Sequence, residues 1–257
     1  MKIGYVTNAQ GLQPGRGSLV FIHGAGGQGR GWQGLLSPLG RRFNALALDL
    51  PGHGQTPPPA SDTVMGYATW LKQALDQLRA EFDLGPLILG GHSMGGAITQ
   101  TYALTWPEDL AGLILVGTGY RLRVAPQILE GVRRDFPAAA KLIIDWSFAP
   151  ADQGLKDLSL QIMLQAGSEV VHGDFTACDR FDSSEQVGRI GLPCLILTGE
   201  DDRMTPPKYA QALRDKIAGS EMHLIPGAGH MLQAEKPGRM VELIEPFAQR
   251  VLGRAAG

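Results

Sequence analysis

Cysteine is nearly absent from this chain of 257 residues, which holds only Cys178 and Cys194. Neither lies in a CxxC pair or beside a histidine, so nothing in their spacing suggests zinc, and both read as buried reduced thiols. An excess of one charge is missing too. Lys plus Arg number 23 against 25 Asp plus Glu, which removes the electrostatic footprint of a nucleic-acid or anionic-membrane binder. No apolar run approaches the roughly 18 residues of a membrane span, and Met1 to Gln10 lacks the basic-then-apolar pattern of a signal peptide. The expected setting is cytoplasmic, with no membrane span, and the expected partner is small or neutral.

What is present is apolar and rich in glycine. Hydrophobic residues make up 44% and charged residues 19%, a balance that excludes intrinsic disorder and fibrous classes. The length allows one large α/β domain or two small ones. The 35 glycines cluster between apolar runs, as tight turns at strand ends would require. Those runs, rich in Val, Ile and Leu, are Ser18 to Ile22, Phe43 to Leu50, Pro86 to Leu89, Leu110 to Val116, Pro193 to Thr198 and Glu221 to Ile225. Continuous apolar runs suit strands buried on both faces of a parallel sheet.

Between them lie segments with helical spacing: Leu71, Leu75, Leu78 and Phe82; Tyr209, Leu213 and Ile217; Met240, Leu243, Phe247 and Val251. Alternation of strand and helix predicts an α/β fold with a mostly parallel central sheet flanked by helices. From Tyr120 to Ile190 the alternation stops, and helical spacing continues through Ile128, Val132 and Phe136, then Leu155, Leu158 and Ile162. A crossover between parallel strands needs only about a dozen residues. The segment 120–190 is therefore expected to form a helical cap over the carboxyl ends of the strands, on a core built from 1–119 and 191–257.

Two glycine motifs compete for the active site. Gly24-Ala-Gly26-Gly-Gln-Gly29 follows a predicted strand, with Asp49 about 20 residues on, and matches the dinucleotide fingerprint in outline. A chain this rich in glycine matches that string easily, however, and Asp49 runs directly into Leu50-Pro51-Gly52-His53-Gly54. Gly91-His92-Ser93-Met94-Gly95 has the better context. It joins the strand Pro86 to Leu89 to a helix beginning near Gly95, so Ser93 would stand on a sharp strand-to-helix turn with its hydroxyl above the sheet.

A serine nucleophile needs a base, and the base an orienting acid. His23, His53 and His92 sit in glycine-containing strand-end loops where structural hydrogen bonding is expected; His172 lies in the cap segment and His223 within a strand pattern. His230 alone follows the last predicted strand on a glycine loop, just before the carboxy-terminal helix. For the acid, Gly199-Glu200-Asp201-Asp202 follows a strand and lies between the serine and the histidine, and only one of Asp201 and Asp202 can face His230.

At these residues the sequence resembles the α/β-hydrolase family, over nearly its whole length. His23-Gly24-Ala25-Gly26 is similar to the family's oxyanion loop, Asp49 to Gly54 to its loop after the following strand, Gly91 to Gly95 to its nucleophile elbow, Gly199-x-x-Asp202 to its acid loop and Gly229-His230 to its histidine loop. The resemblance implies a triad of Ser93, Asp202 and His230, an oxyanion hole made by the backbone amides of Ala25 and Met94, and no metal or organic cofactor.

The expected chemistry is hydrolysis of a carboxylic ester through an acyl-enzyme on Ser93. Trp32, Trp146, Phe148, Met94 and Met231 are expected near the pocket wall, which suits a small, fairly apolar acyl substrate. Carbon–carbon bond hydrolysis and cofactor-free perhydrolysis would use the same triad. A low-turnover receptor of the same fold, or an NAD-dependent oxidoreductase built on the first glycine motif, are the readings from other classes. The substrate, the leaving group and the oligomeric state depend on pocket shape and surface patches, which tertiary structure decides.

Overall fold

The computed structural model describes residues 1–149 and 153–255. In chain order its elements are β1 (Tyr5–Thr7), β2 (Ser18–Ile22), α1 (Gln33–Leu39), β3 (Asn44–Leu48), α2 (Val64–Glu81), β4 (Leu87–His92), α3 (Met94–Thr105), β5 (Gly112–Val116), α4 (Pro126–Arg134), α5 (Phe136–Ser147), α6 (Gln153–Ala166), α7 (Ser168–Arg180), β6 (Cys194–Gly199), α8 (Pro207–Lys216), β7 (Glu221–Ile225), α9 (Leu232–Glu235) and α10 (Pro237–Ala255).

Every residue of β2 to β6 is buried. This is why those strands read as unbroken apolar runs and not as alternating ones. The strands form one sheet in the order β1-β3-β2-β4-β5-β6-β7, parallel except for β1, which pairs antiparallel with β3 through Tyr5 opposite Leu48. Strand β1 was not expected: three half-buried residues are too few to show a period. Strand β4 runs on through Gly90, Gly91 and His92, past the expected end at Leu89.

The helical periodicities cover the two faces. Leu71, Leu75 and Leu78 of α2 pack with Ile98 and Tyr102 of α3 on one side, while Leu35 and Leu36 of α1 pack with Ile244 and Phe247 of α10 on the other. Between β5 and β6 stand α4 to α7, whose inward side chains, among them Val132, Ile143, Val171 and Phe175, form a cluster of their own. The expected helical run through Phe136 breaks at Asp135, whose side chain caps α5 by accepting from the Ala138 amide at 3.2 Å, with Pro137 in the first turn. Among the described residues no helix is long and apolar enough to cross a membrane.

The topology selects one place on the sheet for a ligand. From β2 the chain crosses to β3 on one side and then returns to β4 on the other, so β2 and β4 flank the point where the winding reverses. Loops leaving the carboxyl ends of strands at such a point diverge and open a crevice. Here those loops are His23–Gly27 after β2 and Ser93 after β4.

Candidate active site

Ser93 joins β4 to α3 with φ 53° and ψ −115°, and it is the only described residue other than glycine with a positive φ. Backbone in such a region costs about 1–3 kcal/mol, a strain that surrounding contacts must hold. They do so here. The Ser93 amide donates to the Val116 carbonyl at 2.9 Å, and the Ser93 carbonyl accepts from the amides of Gly96 and Ala97 and from Thr118 Oγ1. The turn also needs its glycines: a Cβ on Gly95 would lie 2.5 Å from the Ile22 carbonyl oxygen, and one on Gly91 would collide with the Gly95 carbonyl.

His230 leaves the loop after β7 with its backbone amide on the Ser147 carbonyl at the end of α5, 2.8 Å away. Its Nδ1–H donates to Asp202 Oδ2 at 2.9 Å. That bond assigns the proton to Nδ1 and leaves Nε2 as the ring's acceptor. Asp202 is buried and takes three further donors: Thr205 Oγ1 at 2.9 Å on Oδ2, and the amides of Met204 at 2.9 Å and Thr205 at 2.8 Å on Oδ1. Burial alone would raise its pKa, but His230 and the Thr205 bonds outweigh burial and hold the carboxyl below its ordinary value. Asp201, one residue earlier, is exposed, and among the described residues only its backbone is engaged, with the amide on the Ala228 carbonyl.

The other strand-end histidines serve the scaffold. His92 is buried with its Nε2–H on the His230 carbonyl at 2.9 Å, and burial and the neighbouring His230 ring push its pKa down to about 3. His23 donates from Nδ1 to the Gly24 carbonyl and accepts the Leu50 amide on Nε2, so burial keeps it neutral.

In the loop after β2, the Gly26 amide is bound by Asp174 and the Gly27 amide by the Gly24 carbonyl. Among the described residues the amide of Ala25 has no partner, and neither has that of Met94 in the first turn of α3. Two unengaged amides on the loops flanking the crevice are donors available to an oxyanion.

The dinucleotide reading of Gly24 to Gly29 fails on geometry. The segment is a loop that enters a 3-10 turn at Gly29–Trp32 before α1 begins at Gln33, so only the last of its glycines stands at a helical start. Asp49 is committed to the scaffold: its two oxygens accept the amides of Gly29 at 2.7 Å and Gln55 at 2.9 Å. No group of three or more His, Cys, Asp or Glu among the described residues is arranged to hold a metal ion.

Ser93 and His230 line one cavity of about 310 Å³, whose apolar wall includes Ile143, Leu155, Ile162 and Phe175 from the inserted helices. Trp32 and Met231 line it as expected. The other three residues expected on the wall do not. Trp146 lies on the outer surface of α5, 44% exposed, Phe148 packs into the core of the inserted helices and Met94 into the core under the sheet. Sequence reasoning missed Thr205, which holds the Asp202 carboxylate, and Asp174, which holds Gly26 from α7. Neither residue belongs to a glycine loop or a motif, so neither carried a signal.

The profile of the alpha/beta hydrolase family matches residues 19–243. A thermophilic esterase of known structure is 32% identical, covers 97% of this chain and 98% of its own, and superposes with a TM-score of 0.83. A second, from Thermogutta terrifontis, is 26% identical with a TM-score of 0.85 over 97% of this chain and 93% of its own. The 2-hydroxy-6-oxononadienedioate/2-hydroxy-6-oxononatrienedioate hydrolase of Klebsiella pneumoniae is 28% identical over 92% of this chain and 88% of its own.

Proposed function

This chain belongs to the alpha/beta hydrolase family, and from that premise we propose that it is a serine carboxylesterase acting on a small, fairly apolar acyl group. The observation that carries the reading is the joint placement of Ser93, on its strained turn, and of His230, held by Asp202 through Nδ1, on one largely apolar cavity.

The Ser93 hydroxyl attacks the ester carbonyl while its proton passes to His230 Nε2. The amides of Ala25 and Met94 take the developing oxyanion, and the alcohol leaves with the proton from His230. Water, deprotonated by the same nitrogen, then cleaves the acyl-Ser93 bond and releases the carboxylic acid. Asp202 keeps the ring in the required tautomer and stabilises the imidazolium that forms. The inserted segment 120–190 is the cap on a core of 1–119 and 191–257, and its side chains on the cavity set acyl preference. The mechanism calls for no cofactor.

The similarity to the Klebsiella enzyme favours carbon–carbon bond hydrolysis as a second reading, with the same triad. A dioate would bring two carboxylates to a wall whose one Lys or Arg among the described residues is the exposed Arg30, which weighs toward the neutral ester.

The test is fluorophosphonate labelling beside turnover of p-nitrophenyl esters of rising acyl length and of a vinylogous diketone acid. Labelling at Ser93 with ester turnover supports the esterase. Turnover confined to the diketone selects carbon–carbon cleavage, labelling without turnover selects a receptor, and absence of labelling overturns the serine mechanism.

A further inference from the structure

Asp174 lies at the middle of α7, far in sequence from every motif, and it is fully buried. A lone buried carboxylate is costly, so its partners are informative. There are three, from three separate parts of the chain: the Gly26 amide at 2.8 Å and His53 Nε2 at 2.9 Å on Oδ2, and the Tyr67 hydroxyl at 2.6 Å on Oδ1. His53 Nδ1 faces the Pro51 carbonyl at 3.1 Å. Both ring nitrogens therefore meet acceptors, an arrangement that favours the imidazolium, with Asp174 as its partner. Burial opposes that charge, but Asp174 outweighs it and raises the pKa of His53. The other ionisable groups near this ring are His23, 4.8 Å away between ring centres and kept neutral by burial, and Asp49.

The position of Gly26 gives the pair its meaning. The Gly24–Ala25 peptide is pinned at its carbonyl by His23 Nδ1 at 2.8 Å and by the Gly27 amide at 3.1 Å. Because a trans peptide is planar, pinning the carbonyl fixes the direction of the Ala25 N–H on the opposite side. The next peptide is pinned at the Gly26 N–H by Asp174 alone, and because the Gly27 amide that holds the Gly24 carbonyl follows directly in the chain, Asp174 also keeps that bond in place. Gly26 itself has φ 63°, and a Cβ there would press against Met163 and Val171 of α6 and α7 at 3.0 and 3.2 Å. The loop thus hangs from the inserted helices.

We propose that Asp174 is a positioning residue that reaches from the inserted helices to hold the Gly26 amide, with His53 as its counter-charge, and so fixes the Ala25 amide as an oxyanion donor. The proposal rests on the hydrolase reading above. It makes the inserted helices part of the machinery that stabilises the oxyanion as well as the wall that selects the substrate.

The test compares Asp174→Asn with Tyr67→Phe, both on p-nitrophenyl acetate and with phenylboronic acid, which forms a tetrahedral adduct on an active serine. In Asp174→Asn the amide oxygen can still occupy the Oδ2 place, but it carries no full charge, and a neutral His53 can donate from only one of its two nitrogens, so a lone pair faces either that oxygen or the Pro51 carbonyl and the grip on the Gly26 amide loosens. Removing an oxyanion donor outright costs about 10²–10³ in kcat. Loosening one is expected to lower kcat by about 10-fold to 100-fold, to weaken phenylboronic acid by a similar factor and to leave KM within about twofold. Tyr67→Phe removes a donor from the same carboxylate without touching the loop, and should lower the Tm while kcat holds. A kcat loss no larger in Asp174→Asn than in Tyr67→Phe, or a rise in KM with kcat unchanged, overturns the proposal. Should Asp174→Asn not fold, amide exchange at Gly26 in the wild-type protein decides: protection supports the bond, and exchange at the rate of a free loop overturns it. A wild-type protein that neither labels with fluorophosphonate nor turns over ester removes the hydrolase reading, and this role with it.

Discussion

Replacing Asp202 by Asn keeps size and shape but changes which atoms can accept. Four donors converge on the carboxylate, two on each oxygen. The donors on Oδ1 are backbone amides of Met204 and Thr205, which cannot turn away. The asparagine oxygen must therefore take the Oδ1 place, and its NH₂ must take the place of Oδ2, facing His230 Nδ1. That nitrogen then has to accept, and the ring proton moves to Nε2, where the proposed mechanism needs a lone pair for Ser93. The ring stays in place with the wrong tautomer. In another serine triad the same exchange costs about 10⁴ in kcat, which is about 5.4 kcal/mol of barrier at 1.36 kcal/mol per decade. Asp202→Asn is expected to lose kcat on that scale. Asp201→Asn, at an exposed side chain, should stay within about threefold, as surface changes commonly do. Both variants, shown to be folded by circular dichroism, are assayed for kcat and kcat/KM on p-nitrophenyl acetate. A larger loss at Asp201 would refute the assignment of the acid, and small equal losses would refute the whole tautomer argument.

Three further outcomes follow from the same geometry. Ser93→Ala and Ser93→Gly should both abolish turnover and fluorophosphonate labelling, and Ser93→Gly should be the more stable by about 1 kcal/mol, because glycine relieves the positive φ; urea melts showing the alanine variant as the more stable would deny the strain. His53 has its pKa raised in the fold, burial opposing and Asp174 prevailing, so the stability it contributes is complete below its ordinary value of 6.5 and is lost as pH rises through the folded value. Thermal melts from about pH 6 to 10 should show the lead of wild type over His53→Gln shrinking with rising pH, whereas a constant lead would contradict the ion pair. Leu155→Trp narrows the cavity from α6 and should shift the acetate-to-hexanoate preference toward acetate by about 10-fold, in line with roughly 1–3 kcal/mol per methylene lost or gained in a pocket; an unchanged ranking would mean that the inserted helices do not select the acyl group.

The sequence by itself determined the sheet and the order of its loops. Five strands buried on both faces must be continuous apolar runs, and the turns that end them must be glycine-rich, so β2 to β6 and the loops at Gly24, Gly91 and Gly229 were legible as local patterns. Ser93 was legible for the same reason, since a strand-to-helix turn this tight leaves its mark in Gly91 and Gly95. His230 and the Asp201–Asp202 pair could be placed by their loops, because a residue at a strand's carboxyl end stands at the crevice whatever the rest of the chain does.

Tertiary structure alone decided what is non-local. Spacing left Asp201 and Asp202 open and only the family resemblance pointed to Asp202; what turns that carboxylate inward is the Thr205 turn that receives it. Strand β1 exists because β3 offers it an edge, and α4 and α5 are separate because Asp135 caps between them. Trp146, an aromatic that looked like pocket wall, lies outside because α5 turns that face to water. Asp174 shows the limit most clearly: 148 residues separate it from Gly26, and nothing in its neighbours along the chain marks it. A buried carboxylate acquires its role only from the donors that folding brings to it.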